Sequence, residues 1–142
     1  MKVLLTIFIF SLFLVVVGTA NATGMSPPNP HKHNAQTRRM YACNHRPANW
    51  TKPELQCVVR IGFGPEASNA MLIVACESVW TPRAVSHTGD YGLFQINKLY
   101  NGEGWRLGAN IFDPVWNTRI AYWFWQTRGW SDWTCGRMVG IA

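Results

Sequence analysis

The order of apolar and polar residues predicts a first helix that begins at Thr51-Lys52-Pro53-Glu54. This start has a capping threonine, a proline just inside the helix and an acid in the first turn, all of which favour helix initiation. Apolar residues then recur at helical spacing, at Leu55, Val58 and Val59. Gly62 and Gly64 are predicted to end this helix, because glycine disfavours helix interiors.

A second helix is predicted to open at Pro65-Glu66 and to end near Glu77. Its apolar face consists of Ala70, Ile73 and Val74. Pro82 ends the helix within a turn, because the residue before a proline avoids the α region. This pattern places Glu77 at the rim of a core, where a carboxylic acid is hard to ionise.

A third helix is predicted to start at Asp113-Pro114 and to stop at Gly129. Its buried face is predicted to consist of Val115, Ile120, Trp123 and Phe124, and Trp130 and Trp133 are predicted to pack back onto the domain. Residues 81–112 carry glycine at 89, 92, 102, 104 and 108, which favours turns and short strands over a long helix. The predicted fold class is α+β, mostly α-helical, with a small turn-rich or β lobe that lines a cleft.

The first 22 residues have the pattern of a secretory signal peptide. Lys2 precedes an apolar run from residue 3 to residue 17, and Ala20-Asn21-Ala22 supplies the small residues of a cleavage site. An uncleaved membrane anchor is the alternative, but a bilayer core needs about 20 apolar residues. The rest of the chain is predicted to comprise a flexible N-terminal segment, 23–50, and one folded domain, 51–142.

The chain carries a formal net charge of +6. Removal of the signal peptide takes away Lys2 and no acid, which leaves +5. A small basic protein is attracted to polyanions. Export argues against nucleic acid as the partner, so the anionic polymers of a bacterial cell wall fit better, and simple solubility is the alternative explanation of the charge.

Four cysteines, an even number in a chain predicted to be exported, indicate two disulfides. They are Cys43, Cys57, Cys76 and Cys135, and three pairings are open. A metal site is the rival interpretation, because His31, His33 and His45 lie nearby in the sequence. Their spacing matches no zinc pattern, so no metal is predicted.

Two carboxyl groups in contrasting surroundings are the candidates for catalysis. Glu77 follows an apolar run, whereas Asp90 lies thirteen residues later in a Gly-rich turn, where it should be hydrated and charged. Such a pair suits acid-assisted cleavage of a glycosidic bond, with Glu77 as the proton donor. The alternatives are an exposed helix-terminal Glu77 and an Asp90 that only hydrogen-bonds its turn. Glu103 is a further candidate for the second acid.

Several motifs around Glu77 resemble the lysozyme-like superfamily. Glu77-Ser78, Pro82, Ser86, Gly89 and Gly92-Leu93-Phe94-Gln95-Ile96 resemble the catalytic motif of soluble lytic transglycosylases. Asp90-Tyr91-Gly92 with Gln95-Ile96-Asn97 is similar to the catalytic strand of c-type lysozymes. Cys76-Glu77-Ser78 and Trp133-Thr134-Cys135-Gly136 resemble secreted resuscitation-promoting factors. The resemblance covers roughly residues 51–136.

The resemblance implies a lysozyme-like fold and a set of site residues. It implies that Glu77 and Asp90 are catalytic and that Ser86, Gln95 and Asn97 line the glycan cleft. It also implies a Cys76–Cys135 disulfide, which leaves Cys43 to pair with Cys57. Aromatic rings can stack on sugar faces, and the candidates in the turn-rich lobe are Tyr91, Tyr100 and Trp105.

The function that follows is cleavage of the β-1,4 bond between N-acetylmuramic acid and N-acetylglucosamine in peptidoglycan. If Asp90 takes part, which we expect from the lysozyme match, water completes a hydrolysis. If it does not, the 6-hydroxyl of muramic acid attacks and an anhydro sugar forms. The prediction is a secreted or wall-associated monomer without cofactor. The alternatives are a catalytically silent wall-binding or inhibitor module and a chitin-active glycosidase.

Overall fold

The computed structural model describes residues 28–29, 32–45, 49–97 and 110–142. The described part is mostly helical, with one two-stranded sheet, and it has the α+β architecture predicted from the sequence. Short 3₁₀ turns at Gly64–Glu66 and Gly129–Asp132 connect helices. The elements are α1 (Ala35–Tyr41), α2 (Lys52–Phe63), α3 (Ala67–Glu77), β1 (Asp90–Tyr91), β2 (Ile96–Asn97), α4 (Pro114–Arg128) and α5 (Thr134–Met138).

The helix starts agree with the capping signals in the sequence. Thr51 caps α2, and its backbone N–H donates to the Glu54 carboxylate at 2.7 Å. Asp113 caps α4 by accepting from the Val115 N–H at 2.9 Å. These side chains satisfy backbone donors that the first helical turn leaves without a partner.

Apolar faces of α2, α3 and α4 meet in one core. The predicted α3 face of Ala70, Ile73 and Val74 is fully buried. Phe63, at the end of α2, stacks on Phe94 and on Trp130, with ring centroids 5.3 and 5.4 Å apart. Trp130 and Trp133 are buried and pack back onto this core, as predicted. Of the predicted α4 face, Trp123 alone is only partly buried.

Gly62 does not end α2, contrary to the prediction, because the helix continues to Phe63 and Gly64 caps it. The reason for glycine at this position is packing. A Cβ atom on Gly62 would lie 2.5 Å from Cγ2 of Thr118 on α4. Absence of a side chain therefore allows α2 and α4 to approach closely.

Gly62→Ala is expected to lower the free energy of unfolding by about 1–3 kcal/mol, the usual cost of overpacking a core. Thr118→Ser removes the methyl group that the new Cβ would meet, so the double variant should recover part of the loss. Chemical denaturation of the parent, both single variants and the double variant measures this. Equal stability of the parent and Gly62→Ala would contradict the close-packing explanation.

The prediction of a flexible segment over 23–50 is wrong for residues 35–43. Helix α1 lies within that range, and its Met40 is fully buried against α2. A disulfide joins Cys43 to Cys57 on α2. The sequence gives a weak signal here, because α1 has only seven residues, too few for a clear helical period.

The small lobe is an antiparallel hairpin after α3. Asp90 pairs with Asn97 and Tyr91 with Ile96, and Val85 forms an isolated bridge to Tyr91. A second disulfide joins Cys76, at the end of α3, to Cys135 at the start of α5. The two disulfides have the pairing that the resemblance implies. The predicted signal peptide lies outside the described residues, and within the described part no helix is long and apolar enough to cross a membrane.

Candidate functional site

Glu77 is the last residue of α3, and the chain turns sharply after it. Val79 and Trp80 both have positive φ, at 50° and 62°. This left-handed backbone is uncommon for residues other than glycine and especially for β-branched valine. Such strain clusters at functional sites. The turn places Glu77 at the edge of the apolar core, as the sequence predicts.

The Glu77 carboxyl group is about half buried. Burial raises its pKa above the ordinary value, and the nearby charge of Asp90 raises the pKa further. The backbone N–H of Cys135 donates to Glu77 Oε1 at 3.3 Å, which lowers the pKa and offsets part of the rise. The net rise favours the protonated form, the one that a general acid needs.

Asp90 starts β1, and it accepts hydrogen bonds from side chains of the turn before β1 and of β2. Its Oδ2 accepts from the Ser86 hydroxyl at 2.6 Å and from the Thr88 hydroxyl, and its Oδ1 accepts from Asn97 at 2.6 Å. Partial burial raises the pKa of Asp90, but these hydrogen bonds outweigh it and hold the pKa below its usual value. Asp90 therefore stays ionised, as predicted, and both of its oxygens already have donors.

The predicted substrate-binding residues are brought together around this hairpin. Ser86 and Asn97 both bond Asp90. The Gln95 amide donates to the carbonyls of Gly92 and Ala84, at 2.8 and 3.2 Å. Tyr91 is half buried, and its ring meets that of Phe112 edge-on at 5.8 Å. These contacts stabilise the turn, and contact of the four residues with sugar stays a prediction.

A cavity of about 320 Å³ lies between the hairpin and the end of α4. Asp90, Gln95 and Asn97 line one side of it. Arg128 and Asp132 line the other side and form a salt bridge at 2.7 Å. Glu77 is not among the lining residues, although the charge of Asp90 acts on it. Sequence reasoning missed the Arg128–Asp132 pair, whose i, i+4 spacing was the available signal.

Sequence reasoning also missed the side chain that holds the hairpin against α4. Asn117 is fully buried, accepts from the Phe94 N–H at 2.8 Å and donates to the carbonyls of Tyr91 and Ile111. A Cβ atom on Gly92 would lie 2.3 Å from the Asn117 amide, so the hairpin needs glycine there. An asparagine on an apolar helix face was the signal, because buried polar groups require partners.

The remaining candidates from the sequence lie either outside the described residues or away from the site. Tyr100, Glu103 and Trp105 lie outside the described residues, as does His31. His33 stacks on Tyr41 at 5.2 Å, and His45 donates its backbone N–H to Glu54. Within the described part of the chain, no three side chains of the metal-binding types come together.

Comparison with known families gives one match. Residues 62–128 match the family model described as the transglycosylase SLT domain. The matched range contains Glu77, Asp90 and all four predicted substrate-binding residues. Comparisons with curated proteins and with solved structures gave no match.

Proposed function

We propose that this protein is a lytic transglycosylase with Glu77 as its single catalytic carboxyl group, because residues 62–128 match the family model of the transglycosylase SLT domain, which lies within the lysozyme-like superfamily. The family supports a peptidoglycan-degrading function in general. The bond that we propose is the β-1,4 linkage between N-acetylmuramic acid and N-acetylglucosamine. One observation carries the choice of residue: Glu77 is half buried at the end of an apolar helix, and burial raises its pKa.

Glu77 would act twice in the proposed reaction. Its carboxyl group gives a proton to the bridging oxygen, and the bond from that oxygen to C1 of muramic acid breaks. The resulting carboxylate then takes the proton of the muramic acid 6-hydroxyl while O6 bonds to C1. Glu77 is protonated again, and the product is a 1,6-anhydro sugar. No water, metal or cofactor enters the reaction.

Asp90 has a supporting role in this proposal. Its two oxygens accept three hydrogen bonds inside the hairpin, so a nucleophilic attack would have to break them. Its negative charge raises the pKa of Glu77, which keeps the acid protonated to higher pH. This role departs from our expectation from the lysozyme match that Asp90 takes part directly.

Asp90→Asn tests the proposal. An asparagine can keep the hairpin, because its oxygen accepts from Asn97 and its amide can donate to the hydroxyls of Ser86 and Thr88. Activity should stay within about tenfold of the parent, against the ~10² or greater loss expected for removal of a transition-state stabiliser. Without the charge, the pKa of Glu77 falls, so the alkaline limb of the pH–activity profile should move to lower pH.

Mass spectrometry of the products decides between the two reactions. The parent and Asp90→Asn should both release anhydro-muropeptides. Reducing sugar ends from the parent, together with a loss of at least ~10² in Asp90→Asn, would contradict the proposal and favour hydrolysis with Asp90 as the second carboxylate.

We also propose export of the protein. Peptidoglycan lies outside the cytoplasmic membrane, and disulfides such as Cys43–Cys57 and Cys76–Cys135 persist in oxidising compartments. The predicted signal peptide would direct the chain there. N-terminal sequencing of the secreted protein should find cleavage after Ala22.

A further inference from the structure

A second, larger groove lies where the chain before the family domain meets that domain. Its volume is about 670 Å³. Tyr41, Asn49 and Trp50, which precede the matched range, form one wall. Arg83, Asn110 and Phe112, which lie inside the matched range, form the other. The groove therefore depends on a segment that the family model does not include.

Strong contacts hold the segment that forms the first wall of the groove, residues 41–45 and 49–50, against the domain. The Cys43–Cys57 disulfide ties it to α2, and the Tyr41 hydroxyl donates to Asp113 Oδ2 at 2.6 Å. Burial is the main reason that the pKa of Tyr41 is raised, so the phenol stays a donor. The other oxygen of Asp113 caps α4. Both oxygens are therefore used internally, and the groove wall is preformed.

Arg83 is the cation of this groove. It is exposed, and its guanidinium lies over the Phe112 ring, 5.3 Å from the centroid. Among the described residues, no carboxylate forms an ion pair with it. An arginine held on an aromatic ring keeps its planar donors free to bind a carboxylate.

Two of the three rings that line the groove, those of Phe112 and Tyr41, are already engaged and are poorly placed to stack on sugar. Arg83 covers one face of Phe112, and the edge-on contact with Tyr91 occupies another side. Tyr41 stacks on His33. Asn49 and Asn110 add amide side chains, which suit the donors and acceptors of a peptide backbone. The chemistry favours a short acidic peptide over a glycan.

We propose that this groove binds the carboxylate-bearing peptide branch of peptidoglycan, with Arg83 on a peptide carboxylate. The proposal rests on the proposed function, since that function brings the glycan strand to Glu77. Arg83 follows Glu77 by six residues, so at most about 22 Å separates their Cα atoms. A strand cut at Glu77 can therefore place one of its branches in the groove.

The first experiment measures the preference for peptide. Its two substrates are glycan strands that carry their peptides and the same strands after an amidase has removed them. We expect the parent to have at least a tenfold higher kcat/KM on the peptide-bearing strands, and Arg83→Gln to reduce this ratio about tenfold, because a charge-assisted contact is lost. Arg60→Gln, on the exposed side of α2 and outside the groove, is the matched control and should keep the ratio. An unchanged ratio in Arg83→Gln, or no preference in the parent, would overturn the proposal.

The second experiment separates the groove from catalysis. Calorimetry with Glu77→Gln protein measures binding of the free peptide released by the amidase and of the same peptide with amidated carboxylates. The free peptide should bind, and both amidation and Arg83→Gln should weaken binding about tenfold. Equal binding of the two peptides, or none, overturns the groove proposal. Peptide binding together with no cleavage of strands by the parent would instead support the groove and contradict the proposed function.

Discussion

Glu77→Gln is expected to lower the rate of peptidoglycan cleavage by ~10²–10⁴-fold and to leave the fold intact. The amide nearly matches the carboxyl group in shape and can still accept from the Cys135 N–H. It cannot give a proton to the bridging oxygen or take one from the attacking hydroxyl. Turbidity of isolated cell walls measures the rate, and the melting temperature reports on the fold.

The matched control is Glu66→Gln, the same change at a glutamate in the turn before α3. Glu66 accepts from Asn69, which a glutamine can also satisfy, so the control should retain full activity. Activity of Glu77→Gln within about threefold of the parent would contradict the assignment, given the size of general acid effects. If the protein were a silent wall-binding module, even the parent would sediment with the walls without lowering their turbidity.

Much of the fold followed from local signals. The starts of α2 and α4 depend on Thr51 and Asp113, whose side chains act within their own first turn, so the sequence alone predicts them. Helix α3 ends at Glu77, near the predicted position, but its backbone already turns at Val79 and Trp80, before Pro82 can act. Gly62 shows the limit of local signals. Its local preference predicts the end of a helix, but the glycine is there because α2 packs closely against Thr118, which is distant in the sequence.

In the candidate site, too, local features could be predicted from the sequence and tertiary contacts could not. The raised pKa of Glu77 and the lowered pKa of Asp90 could be anticipated from an apolar run and a polar turn. The hydrogen bond from the Cys135 N–H to Glu77 could not be anticipated, because the two residues are 58 positions apart in the sequence. Asn117 likewise bonds backbone groups of the hairpin that only the tertiary fold brings to it.

Removal of the Cys76–Cys135 disulfide by the Cys76→Ser/Cys135→Ser pair is expected to impair both stability and catalysis. The bridge spans 59 residues, so the loop-entropy model gives a loss of ~4 kcal/mol in the free energy of unfolding. The variant should also lose ~10²-fold in kcat, because a shift of about 1 Å at a reacting group has that effect. Denaturation and kinetics, well below the melting temperature, measure the two losses.

The Cys43→Ser/Cys57→Ser pair separates a loss of stability from a displacement of Glu77. This bridge spans 14 residues, so its removal should lower the free energy of unfolding by ~3 kcal/mol, nearly as much as removal of the Cys76–Cys135 bridge. It joins the turn after α1 to α2, however, whereas the Cys135 N–H donates directly to Glu77. The pair should therefore destabilise the protein but leave kcat on peptide-free strands within about threefold, far from the ~10² loss of a displaced reacting group.

The pH profile gives the final distinction for the Cys76–Cys135 bridge. The Cys135 N–H lowers the pKa of Glu77, so its withdrawal raises that pKa and should move the alkaline limb of activity to higher pH. Asp90→Asn should move the same limb in the opposite direction. A normal kcat and an unmoved limb in Cys76→Ser/Cys135→Ser would show that the bridge only stabilises the fold and that α3 alone positions Glu77.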